Sequence, residues 1–202
     1  AVLRKAVRRP PEPFPHRKQL FLNFKGGTGK TSLSTSYAYR LAERGYKVLV
    51  LDLDSQGHAT RCLGEEGSSL TKTLYDVLVR KTPLAEVTIE TKMPGLWLVP
   101  ANLAMSTVDL ALMPMAGREF KLKNALRDVD KVYDFVVMDA PPSFGLLNLN
   151  ALMAANDLVT PVPDTASGIY VDLHSYANEI LSAWGQTPTP TCSGAPPTWP
   201  PN

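Results

Sequence analysis

The stretch FKGGTGKTS, Phe24 to Ser32, departs at one position from the phosphate-binding pattern GxxxxGK followed by Ser or Thr: Phe24 stands where the first glycine belongs, and Lys25 follows it. Backbone NH groups can wrap a phosphate only where the chain turns tightly and no side chain blocks the approach. Gly26, Gly27 and Gly29, with Thr28 among them, meet that need. A helix beginning near Lys30 would aim its positive end at the anion. Lys30 would add a point charge and the Thr31 hydroxyl a magnesium ligand.

Working outward, Leu20, Phe21, Leu22 and Phe24 form a short apolar strand before the loop. After it Leu33, Tyr37, Ala38, Leu41 and Ala42 recur at helical spacing, and Gly45 offers a C-terminal stop. Val48 to Leu51 is a continuous apolar run ending at Asp52, as a parallel strand covered on both faces requires. Leu96 to Val99, Phe135 to Met138 and Leu158 to Val162 repeat the pattern. Such alternation predicts an α/β fold: a doubly wound, mostly parallel sheet with helices on both faces, binding ligands beyond the carboxyl ends of its strands. The loop, Asp52 and Asp139 all fall at such ends.

The predicted organisation is a basic, proline-rich linker over 1–18, a phosphate-loop domain over 19–163, and an atypical segment over 164–202. Arg4, Lys5, Arg8, Arg9, Arg17 and Lys18 face the single acid Glu12 within that lead-in, although the whole chain of 202 residues carries only +2. Such an arm reads either as a solvated linker or as a contact for DNA or anionic lipid. Beyond Trp184 the chain is proline-rich and has no apolar period, so neither strand nor helix is predicted there. The two cysteines, Cys62 and Cys192, suggest no disulfide framework or zinc site, and a reducing, cytoplasmic setting fits. No apolar run has the length of a membrane span, and prolines follow the basic N-terminus where a signal peptide would be apolar.

A magnesium-nucleotide site also needs an acid at a neighbouring strand end, and FVVMDAPPS supplies Asp139. In LDLDSQGHAT, Asp52 and Asp54 lean to the same side of an extended chain. Asp54 is assigned to orienting the attacking water and Asp52 to supporting the metal shell. Phosphoryl transfer relies on positioning and electrostatics, so no classical nucleophile is required. His58 and His174 are isolated and read as structural or solvated; Met105, Met113, Met115 and Met153 read as core filler.

Lys25 to Thr31, KGGTGKT, resembles the deviant phosphate loop of the ParA/MinD superfamily, whose hallmark is the early lysine. DLDSQGHAT, TLYDVL (Thr73 to Leu78), VPANL (Val99 to Leu103) and YDFVVMDAPPSFGLLNLNAL (Tyr133 to Leu152) resemble the ParA-type partition ATPases within it. The resemblance implies a Mg-ATP switch that dimerises face to face around two nucleotides, with Lys25 reaching the partner subunit's phosphates. It also implies nonspecific binding to nucleoid DNA in a bacterial cytoplasm and slow hydrolysis stimulated by a ParB-like activator; no membrane attachment is expected, because the tail lacks the C-terminal amphipathic helix that a MinD-like switch needs. By position Lys30, Thr31 and Ser32 carry over as phosphate and magnesium contacts, Asp54 as the water-orienting acid and Asp139 as the metal-side acid.

Departures accompany the match. In the family the chain after Pro163 continues into a helix and at least two further strands that help hold the adenine and bind DNA; here DTASGIYVDLHSYANEILSAWGQ and the proline-rich tail replace them, so the C-terminal strands are expected to be missing or altered. Ser55 and His58 replace the usual Pro and Asn. Two further functions compete: a MinD-like membrane-recruited positioning switch, and a truncated, non-enzymatic nucleotide-binding remnant.

Overall fold

Strand β1 spans Arg17–Phe21 and helix α1 spans Lys30–Glu43, with the glycine loop between them. The computed structural model describes residues 16–161. The expected arm ahead of His16 and the atypical segment from residue 164 lie outside the described residues.

After α1 come β2 (Val48–Asp52), α2 (His58–Cys62), α3 (Leu74–Leu78), α4 (Leu84–Val87), β3 (Ile89–Glu90) and β4 (Leu96–Val99). Then follow α5 (Val108–Leu112), α6 (Lys121–Ala125), β5 (Phe135–Asp139), α7 (Leu146–Ala154) and β6 (Asp157–Val159). The sheet order is β3-β4-β2-β5-β1-β6, parallel except for the antiparallel β3–β4 pair. The doubly wound, mostly parallel sheet read from the sequence is therefore the observed architecture.

Every residue of β2 and β5 is buried, which accounts for their unbroken apolar text. On one face Val48, Val50, Phe135 and Val137 pack with Ala38, Leu41 and Ala42 of α1. The alternate residues Leu49, Leu51, Val136 and Met138 have no exposed surface at all. Helix α7 packs on β1 and on α6. The predicted stripe of α1 is offset from the observed one, since Leu33 is 45% exposed while Ser34 and Thr35 are buried. At the other end Gly45, at φ 95°, closes α1, its N–H donating to Ala42 O at 2.9 Å while that of Tyr46 donates to Leu41 O at 3.2 Å.

Three elements need corrected boundaries. Residues 17 and 18, assigned to the basic linker, belong to β1 and pair with Phe135 and Val136. Their charge is tolerated because they occupy the solvent-facing start of the strand, where Arg17 Nε meets Asp157 Oδ2 at 3.3 Å. The expected strand to Phe24 stops at Phe21, and β6, expected over 158–162, spans Asp157–Val159, one residue earlier at its start. The two-residue edge strand β3 has too little text to be read from sequence.

Candidate nucleotide and magnesium site

The site lies beyond the carboxyl ends of β1, β2 and β5, as parallel-sheet geometry requires. Gly27 and Gly29 adopt φ of 74° and 77°, where a side chain would be strained, and a Cβ on Gly26, Gly27 or Gly29 would meet nothing within 4 Å. The space over the loop is thus open to a group that approaches backbone directly. Gly29 caps α1 without any side-chain hydrogen bond, so the first N–H groups of the helix keep their donors toward that space. Lys30 is only 8% exposed, and its charge acts on Asp139.

Thr31 and Asp139, 108 residues apart in sequence, meet directly: the Thr31 hydroxyl donates to Asp139 Oδ2 at 2.7 Å. The Ser34 hydroxyl donates to Asp139 Oδ1 at 3.0 Å. Burial raises the Asp139 carboxyl above its ordinary pKa, an effect opposed by those two hydroxyls and by Lys30 and reinforced by Asp54. Asp54 is partly exposed; its Oδ1 accepts from Gln56 N at 2.9 Å and its carbonyl from Gly57 N at 2.9 Å, which fixes the turn after β2.

Asp52 is placed differently from its sequence-based role. It has no exposed surface and is the cross-strand partner of Asp139. Its Oδ1 accepts from Asp54 N at 3.0 Å, and its Oδ2 accepts from both the N–H and the hydroxyl of Thr60 at 2.8 Å. The Thr60 hydroxyl in turn accepts from Ala101 N at 3.1 Å, so DLDSQGHAT and VPANL are knotted together through Asp52. Burial, only partly opposed by these donors, raises the Asp52 pKa to about 6. A carboxylate so engaged orients the β2–α2 turn and with it Asp54.

Lys25 is exposed at the rim; its N–H donates to Asn23 Oδ1 at 2.9 Å, and Asn23 Nδ2 reaches Pro161 O at 2.7 Å. Phe24, the misfit of the pattern, stacks on Phe144. Thr28 lies within the loop, its hydroxyl 3.4 Å from Lys25 O, and Ser32 is exposed on the first turn of α1. Sequence reasoning missed Ser34, Asn23, Thr60 and Phe144. Thr60 and Phe144 had a visible signal, as members of the DLDSQGHAT and YDFVVMDAPPSFGLLNLNAL motifs.

These groups fit a magnesium nucleotide: an open glycine cradle, a buried lysine, and a hydroxyl whose proton is already taken by a carboxylate, leaving its lone pairs for a hard cation. A family model described as an AAA domain matches residues 17–178. The chain is 73% identical over 160 residues to the cell division protein PomZ of Myxococcus xanthus, covering 79% of this chain and 50% of the relative. It is 39% identical over 140 residues to the sporulation initiation inhibitor protein Soj of Bacillus subtilis, covering 69% of this chain and 55% of that one. The chain thus spans about half the length of these curated relatives. Among solved structures, cobyrinic acid a,c-diamide synthase from Mycobacterium smegmatis, with bound ATP analogue and magnesium, superposes with a TM-score of 0.76 at 33% identity, covering 85% of this chain and 70% of that chain.

Proposed function

The chain belongs to the ParA-type partition ATPases of the ParA/MinD superfamily, and we propose that it is a Mg-ATP-dependent switch that dimerises with ATP and hydrolyses it slowly. Its cargo is positioned through nonspecific DNA binding on the bacterial nucleoid, with hydrolysis stimulated by a ParB-like activator. The observation that carries this most directly is the Thr31–Asp139 hydrogen bond of 2.7 Å beneath an open glycine loop. Asp139 holds the Thr31 proton, so the hydroxyl oxygen presents lone pairs to magnesium. Lys30 and the loop N–H groups take up phosphate charge. Magnesium and ATP supply the electrophilic phosphoryl group and its charge neutralisation.

Asp54 is the water-orienting residue: one carboxylate oxygen is held by Gln56 N, and the other is assigned to the attacking water. Lys25, at the rim beside the cradle, is assigned to the phosphates of a second subunit. Asp52 keeps a positioning role in place of the metal-shell role read from sequence. The ATPase domain read from the sequence as 19–163 is proposed with its start moved to Arg17, the first residue of β1. Positioning a cell-division cargo is favoured over partition of chromosome or plasmid DNA, because identity is 73% to a relative named for cell division and 38% to one named for chromosome partitioning.

Sedimentation of the whole chain with Mg-ATP, beside Lys25→Ala, tests the switch. A dimer that forms with ATP only, and not in Lys25→Ala, is the expected result; a nucleotide-indifferent monomer refutes it. Turnover that Asp54→Ala abolishes would exclude a non-enzymatic remnant. Among the described residues no helix is long and apolar enough to cross a membrane, and ATP-dependent pelleting with liposomes would instead favour a MinD-like switch.

A further inference from the structure

Phe24 and Phe144 lie parallel, with ring centroids 3.9 Å apart and planes inclined by 7°. One ring precedes the rim lysine, Lys25; the other belongs to the loop between β5 and α7, five residues beyond Asp139. That loop is anchored from both sides. Asn148, 1% exposed, donates through Nδ2 to Pro141 O at 3.0 Å and also to Ser143 O. The Asp109 carboxylate accepts from the N–H groups of Leu146 and Leu147 at 3.2 and 2.9 Å. Asp109 lies so close to Gly145 that a Cβ there would stand 2.1 Å from Asp109 Oδ2. Phe144 is nevertheless 67% exposed. An apolar ring held that far into water by a pinned backbone is a fixed surface for its stacking partner, whereas burial of Phe144 itself contributes little.

On the other side of the stack, the Lys25 N–H donates to Asn23 Oδ1 at 2.9 Å. We propose that the Phe24–Phe144 stack is a positioning contact for Lys25, tying the rim lysine to the loop that carries the metal-side acid. The inference rests on the switch function proposed above, in which Lys25 acts across a subunit boundary. Phe144 touches no reacting atom and acts through Phe24.

Two measurements on the full chain test it, with Phe144→Ala and the ring-preserving Phe144→Tyr. In the first, hydrogen exchange of the amides of Phe24 and Lys25 is expected to quicken up to about tenfold in Phe144→Ala, the upper range of an aromatic pair. It returns to the wild-type rate in Phe144→Tyr, while the Mg-ADP affinity of Phe144→Ala stays within about threefold because the cradle is untouched. In the second, ATP-dependent association is expected to weaken by a similar factor in Phe144→Ala, with no further loss when Phe144→Ala is added to Lys25→Ala. Unchanged exchange, or failure of Phe144→Tyr to restore it, overturns the stack's role whether or not the chain dimerises. Losses that multiply in the double variant overturn its action through Lys25. A wild type that stays monomeric with ATP, while exchange responds as expected, overturns the switch and leaves the structural coupling standing.

Discussion

Replacing Asp52 by Asn separates a metal-shell role from a positioning one. The carboxyl is fully buried, and burial raises its pKa from the usual 3.8 to about 6. Below pH 3.8 the group is neutral in both folded and unfolded chains. As pH rises toward about 6 the unfolded chain gives up the proton while the folded one retains it, so stability falls; above that both are ionised and the loss is constant. At about 1.36 kcal/mol per pH unit, the loss is about 3 kcal/mol. Asp52→Asn has no such titration. It places an amide NH2 against donors, either the two of Thr60 or that of Asp54, and so loses about 1 to 3 kcal/mol of hydrogen bonding at every pH. Urea unfolding of both proteins between pH 4 and 7.5 is the assay. The stability difference is expected to shift by about 3 kcal/mol in favour of Asp52→Asn, mostly between pH 4 and 6. A difference that stays constant with pH, or moves the other way, refutes the buried-carboxyl reasoning. A magnesium dependence of Mg-ADP binding that disappears in Asp52→Asn would return the residue to the metal shell.

Gly145→Ala should displace the Asp109 carboxylate from the first N–H groups of α7 and cost about 1 to 2 kcal/mol; Asp109→Ala should cost much the same, and the double variant no more than either, as chemical denaturation would show. Thr31→Val, which removes the hydroxyl shared with Asp139, should weaken ADP binding about tenfold with magnesium and little in EDTA, since only the cation contact is lost; equal losses in both titrations would contradict that role. Gly29→Ala puts a side chain at φ 77° and should cost about 1 to 2 kcal/mol, measured by thermal or urea unfolding, with nucleotide binding weakened as well. Ser34→Ala removes one of the two hydroxyls that favour ionisation of buried Asp139, and should raise the pKa of that carboxyl further, followed by NMR titration of its side chain.

The central strands were legible because burial on both faces leaves them no choice of residue: VLVLD and FVVMD are apolar up to their final acids. The glycine loop was legible because only glycine serves where φ is positive and the space above must stay clear. Arg17 and Lys18 misled because a strand's first residues can face solvent, and charge at that end carries no information about pairing. Asp52 misled for a different reason. Two acids at alternate positions look equivalent in an extended chain, and only the approach of Thr60, eight residues on, decides which is consumed internally. Ser34 and Asn148 were invisible because a polar residue within a helix announces nothing until the strand end or loop it binds is in place. Phe24 read as part of the strand because its apolar character was plain, while its partner Phe144 lay in a loop whose position no local pattern gives.

The order β2-β5-β1 has a kinetic consequence. Strands β1 and β2 flank α1 in the chain but cannot pair with each other, because β5 occupies the place between them. The edges of β1 and β2 that face each other are both paired by Phe135–Asp139, which is made 83 residues after Asp52. Closing contacts such as Thr31 to Asp139, across 108 residues, makes this a topology of high contact order. The Thr31–Asp139 contact can therefore form only once β5 has entered between β1 and β2, which brings the glycine loop and its acid together late in the order of synthesis.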